Sequence, residues 1–137
     1  MPGWPFIWIG KSFEREGERM HQQSQTKAQV ESEGTTAVLR FEGDVTSASK
    51  DAVLGTYQNL PHDTKEILLD FSKVPYLNSS GIALIIQLLI EASKASRKVQ
   101  TFGLTPHFIK VFTMLGLEKY TSLHPDERAA KAATAGA

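Results

Sequence analysis

With 137 residues, 41% of them hydrophobic and 22% charged, the chain has the composition of one globular domain with a core of its own rather than of a disordered polymer. Fifteen Lys and Arg balance fifteen Asp and Glu with no basic cluster, which argues against a nucleic-acid partner, and the lack of cysteine removes disulfides, thiolate catalysis and Cys-based metal sites. His21, His62, His107 and His124 lie on separate segments without metal-ligand spacing, and no Walker or dinucleotide glycine pattern occurs, so no metal, cofactor or enzymatic activity is expected.

Residues 1–24 differ from the rest. Their apolar run covers only residues 4–9, with no basic stretch before it and no small-residue cleavage site after it, too short for a signal peptide or a membrane span. They read as a poorly ordered extension, and membrane insertion is not expected. The domain is expected over 25–124. Residues 125–137 are rich in Ala, show no apolar face, and read as a weakly helical or frayed tail.

Within the domain the hydrophobic period changes repeatedly. Ala28 and Val30 lead to a turn at Glu33-Gly34; then Ala37, Leu39 and Phe41 alternate with Val38, Arg40 and Glu42, which predicts two strands joined as a hairpin. Thr46 or Ser47 can cap a helix over 48–60 that stops at Pro61. Residues 67–71 form an apolar run broken only by Asp70, as in a central strand covered on both faces. Pro75 keeps the following loop non-helical, and a second helix is predicted over 80–94. Val99, Thr101 and Gly103 alternate into a fourth strand. Thr105 caps a third helix with Pro106 in its first position, Phe108, Val111, Phe112 and Leu115 share one face, and Gly116 ends it. Residues 119–123 can add an edge strand. The sum is an α/β fold: a mixed sheet of four to five strands with helices mainly on one face.

The sharpest local feature is the loop into the second helix, Asn78-Ser79-Ser80-Gly81. Either serine can cap the first turn through its side-chain oxygen, and the same spot, with unpaired amides and the positive end of the helix dipole, suits a phosphate. At about 100° per residue, Ile82, Ile85, Ile86, Leu89 and Ser93 form a stripe expected to face the sheet, while Ser80, Leu84, Gln87, Leu88 and Glu91 share the opposite side. Leu84 and Leu88 in line with the serine make a candidate docking patch. A hydrolase reading would need His107 to activate Ser80, but the serine lacks the G-x-S-x-G elbow.

The stretch L-D-F-S-K-V-P-Y-L-N-S-S-G-I-A-L over 69–84, with Phe41-Glu42-Gly43-Asp44-Val45 and Gly103-Leu104-Thr105-Pro106, resembles the signature of STAS domains, most of all stand-alone bacterial anti-sigma factor antagonists. The resemblance implies a non-enzymatic, cytoplasmic binding module, a monomer or weak dimer. It further implies two partners: an anti-sigma factor with serine-kinase activity, which the module sequesters to release a sigma factor, and a serine phosphatase. By position it makes Ser80 the phosphoacceptor and places Asn78, Ser79, Gly81, Leu84, Gln87, Leu88, Asp44 and Thr46 at the partner surface. Asn78 and Thr46 stand where the family commonly carries acidic residues. The same signature also resembles accessory subunits of lipid-transport ATPases or of stress-sensing assemblies.

Overall fold

The computed structural model describes residues 26–135, so the expectations for residues 1–24, and His21 with them, lie outside the described residues. Five strands pair in sequence order: β1 (Lys27–Glu33), β2 (Thr36–Glu42), β3 (Glu66–Lys73), β4 (Lys98–Phe102) and β5 (Ser122–His124). β1 runs antiparallel to β2, and every other pair is parallel, which makes the sheet mixed as expected. A hairpin joins the antiparallel pair, and each parallel pair is joined by a helical crossover.

The first crossover is helical over residues 47–58 (α1), opening as a 3-10 turn, Ser47–Ser49, widening to a π-type coil, Asp51–Gly55, and closing with one α turn, Thr56–Gln58. Its start is fixed by Thr46, whose hydroxyl accepts from the Ala48 amide at 3.2 Å while its own amide donates to Ser49 Oγ at 2.9 Å. The next crossovers are α2 (Ser79–Lys94) and α3 (Pro106–Met114). Thr105 caps α3 and Pro106 opens it, as the sequence predicts. Gly116, at φ 72°, follows its end in the left-handed region that glycine tolerates.

Strand alternation sorts the side chains onto two faces. Leu39 and Phe41 of β2 and Ile67, Leu69 and Phe71 of β3 point to the crossover helices and are almost fully buried. Phe71 is the hub: its ring lies 5.5 Å from Phe41 and, edge-on, 6.2 Å from Phe112 of α3. Val53, Leu54 and Tyr57 of α1 and Ile85, Leu88 and Leu89 of α2 complete this core.

The other face departs from expectation. The Ala-rich end forms a helix, α4 (Glu127–Ala135), packed across β3, β4 and β5, with Ala130 fully buried against Val38, Leu68 and Phe102. Its missing apolar stripe is offset by an ion-pair cluster. All five Arg40 N–H groups are used: Nε donates to Glu31 Oε2 at 2.8 Å and Nη1 to Asp70 Oδ2 at 2.8 Å, while Glu127 takes one bond from each terminal nitrogen, at 3.0 and 2.8 Å. The fifth bond, from Nη2, goes to Glu31 at 3.1 Å. Lys131 Nζ adds a 2.8 Å contact to Glu127. Hydrogen bonding to Arg40 pulls the Glu127 carboxyl down to about 2 and holds Glu31 below its usual range; the guanidinium is pushed the other way, chiefly by Glu127. Asp70, which breaks the apolar run of β3, also accepts from the Ser72 amide and hydroxyl at 2.8 and 2.6 Å, so this buried carboxylate is fully engaged.

Candidate functional site

The loops leaving β2 and β3 at the carboxyl ends of the parallel strands are zipped together. The Val45 amide donates to the Tyr76 carbonyl at 3.0 Å, and the Asn78 amide donates to the Val45 carbonyl at 3.1 Å. Val45 and Leu77, both buried, thereby form a one-residue parallel bridge. This brings Asp44 and Thr46 beside Asn78, Ser79, Ser80 and Gly81. The contact demands Gly81: a Cβ there would sit 2.0 Å from the Val45 carbonyl oxygen and 2.5 Å from its carbon, which no L side chain can accept without displacing backbone.

The helix cap is supplied by Asn78 rather than by Ser79 or Ser80, either of which the sequence allows. Asn78 is extended, and its Oδ1 accepts from the Gly81 amide at 2.8 Å. The two serines are therefore the first residues of the helix proper, both exposed, and among the described residues their hydroxyls and amides have no hydrogen-bond partner. The first turn holds no acidic residue. Thr46 spends its hydroxyl on the start of α1, and the half-buried Asp44 accepts from Thr26 Oγ1 at 2.7 Å through its backbone carbonyl.

The rotation of α2 differs from the expected one. Its buried stripe is Gly81, Ile85, Leu88, Leu89 and Ala92, whereas Ser93 is exposed and Ile82 and Ile86 are only half-buried. Leu88, read as a docking residue, is 0% exposed and packs in the core, so it cannot meet a partner. Leu84 lies on the flank, half-buried, and Gln87 is exposed. Ser80, Ala83, Gln87 and Ile90 make the solvent face, and Ile90 is an apolar member that the wheel did not pick out. Gly81 is the signal that fixes the rotation, because a glycine in close contact has to point inward.

Tyr76, immediately before the motif, is 50% exposed and its ring meets Phe108 edge-on at 6.2 Å. The ring of His107 also meets Phe108 edge-on, 4.8 Å away. No hydrogen bond among the described residues joins His107 to Ser80, and His124 is tied to Gln100 through Nε2 at 2.7 Å. Among the described residues no group of three or more His, Asp or Glu is placed to hold a metal ion, and no helix is long and apolar enough to cross a membrane.

The family model described as "Mlab, STAS domain" matches residues 28–125, well over half of the chain. The chain belongs to the STAS family. Solved structures share its fold at low identity. An anti-sigma factor antagonist from Mycobacterium paratuberculosis matches at 18% identity over 80% of this chain and 94% of that one, with a TM-score of 0.65. The anti-sigma factor antagonist SpoIIAA of Bacillus, in its unphosphorylated form, matches at 18% identity over 80% and 99%, with a TM-score of 0.63. The likeness of fold extends to the murine anion transporter Slc26a9, at 12% identity over 96% of this chain and a TM-score of 0.72. The chain spans 25% of the length of Slc26a9 and 18% of that of another match, Mglu. No curated protein sequence matches.

Proposed function

We propose that the chain is an anti-sigma factor antagonist, a cytoplasmic binding module without catalysis of its own that is switched at Ser80. The observation that carries this reading is the division of labour in the first turn of α2. Asn78 does the capping, so the exposed Ser80 hydroxyl has no structural duty and is free to be modified. A partner kinase transfers the terminal phosphoryl group of ATP to Ser80 Oγ, the serine proton leaving with a base on the kinase, and a phosphatase returns the group to water. The likeness to SpoIIAA, whose structure is known in unphosphorylated and phosphorylated forms, supports this assignment of class.

In the unmodified state Ser79, Ser80, Ala83, Gln87 and the Leu84 flank, with Asp44 and Thr46 alongside, dock the anti-sigma factor, which then releases its sigma factor. Phosphorylation places a charge of about −1.5 to −2 in that contact. The free amides and helix dipole tolerate the charge without refolding. The partner does not, because closing an interface over an unpaired dianion costs several kcal/mol. Calorimetric titration with an anti-sigma factor that the wild-type chain binds tests this. Ser80→Ala should bind within threefold of wild type and Ser80→Asp about 100-fold more weakly, a difference of roughly 2.7 kcal/mol. Equal affinities for the two variants refute the switch.

Two observations favour a second reading: the family model is described by Mlab rather than by sigma control, and a transporter shares the fold. As an accessory subunit of a transport or stress-sensing assembly the same face would stay bound whatever the state of Ser80, so Ser80→Asp would leave the assembly intact on size-exclusion chromatography.

A further inference from the structure

The two edges of the sheet are unequally protected. β5 is three residues long and Pro125 follows it, so it offers almost no ladder to an incoming strand. β1 has seven residues, no proline, and a register to β2 that runs without a bulge from Lys27↔Glu42 to Glu33↔Thr36. Its outer edge is unpaired among the described residues, and Val30, at its middle, is 43% exposed. An open, regular, solvent-facing strand of this length is a template for another strand.

The sequence of β1, Lys27-Ala28-Gln29-Val30-Glu31-Ser32-Glu33, says which one. Laid antiparallel on a second copy about a two-fold axis through Val30, it sets Lys27 opposite Glu33, Gln29 opposite Glu31, Ala28 opposite Ser32 and Val30 opposite Val30. Both ends then carry an opposite-charge pair and the exposed valines cover each other. Other registers pair fewer residues or set like charges together. Shifted one way, Glu31 faces Glu31; shifted the other way, Ser32 and Glu33 hang free; a parallel pairing sets every charge against its own kind.

We infer that the outer edge of β1 is the interface of a homodimer, in which two five-stranded sheets join as one ten-stranded sheet through a self-complementary β1–β1 ladder. The contact is independent of what Ser80 does. It buries little beyond one strand from each copy, so the dimer is weak and forms with rising concentration.

Sedimentation equilibrium of the full chain from micromolar to near-millimolar concentration tests it. The wild type should move from monomer to dimer. Lys27→Glu and Glu33→Lys each set like charges opposite one another and should each weaken the dimer at least about tenfold. The double variant K27E/E33K restores opposite pairs and should return the wild-type constant. A chain that stays monomeric throughout, a dimer indifferent to the single exchanges, or a double variant that fails to recover overturns the inference.

Discussion

The two faces of the sheet are built by different physics. Against α1, α2 and α3 the strands present Leu39, Phe41, Ile67, Leu69 and Phe71, and the packing is aromatic and aliphatic throughout. Against α4 the apolar contribution shrinks to Val38, Leu68, Phe102 and one alanine, and Arg40 with Glu31, Asp70 and Glu127 supplies the rest. Burial of hydrocarbon is non-directional and is not screened by salt, whereas the ion-pair cluster depends on geometry, pH and ionic strength. The site loops rest on the first kind of support and the C-terminal helix on the second, so conditions that loosen α4 should leave the Ser80 corner formed.

The largest effect should come from the hydrocarbon face. Phe71→Ala empties the centre of the aromatic cluster and is expected to cost about 3–5 kcal/mol in urea unfolding. A loss below that of a typical surface substitution would mean that the core does not close around Phe71. Next comes Arg40→Ala. It strands the buried Asp70 and releases Glu127, and because about a quarter of the Arg40 side chain remains open the expected loss is about 2–3 kcal/mol, short of the ~3–5 for a fully buried pair. The loss should shrink in high salt, where that of Phe71→Ala does not. The smallest effect is the acid limb. The Glu127 carboxyl is held at about 2 in the fold against an ordinary 4.5, so its contribution is fully present above pH 4.5 and fades as pH falls through about 2. Glu127→Gln should flatten stability across that window in a pH series of thermal melts, with its loss relative to wild type present at neutral pH and vanishing as the pH approaches 2.

The strands were legible because alternation in β2 and the apolar run of β3 report their faces directly, and α3 because Thr105, Pro106 and Gly116 mark both ends. The rotation of α2 was not. Ile82, Leu84, Ile85, Ile86, Leu88, Leu89 and Ile90 put hydrocarbon almost all the way round, and a wheel cannot choose a face when most positions qualify; the Gly81–Val45 contact chooses it, placing Leu88 inside. The cap falls on Asn78, ahead of both serines that could have supplied it, since Asn caps as well as Ser does and only geometry separates neighbours. α4 was hidden for another reason. Its partner Arg40 lies 87 residues away, and no local pattern in an Ala-rich tail announces a distant guanidinium. The corner of Asn78, Ser79, Ser80 and Gly81 was found from residue types; its link to Asp44 and Thr46 came through the resemblance, and the backbone bridge at Val45 is what joins them.

Strand order bears on how the chain is made. Each strand lies next to the one before it, so as the polypeptide leaves the ribosome every new strand meets a neighbour already in place, and no gap has to be held open for a later insertion. Each crossover closes a short loop, which keeps the entropy of every step small. Assembly can then follow synthesis from one side of the molecule to the other, ending when the last helix swings beneath the sheet.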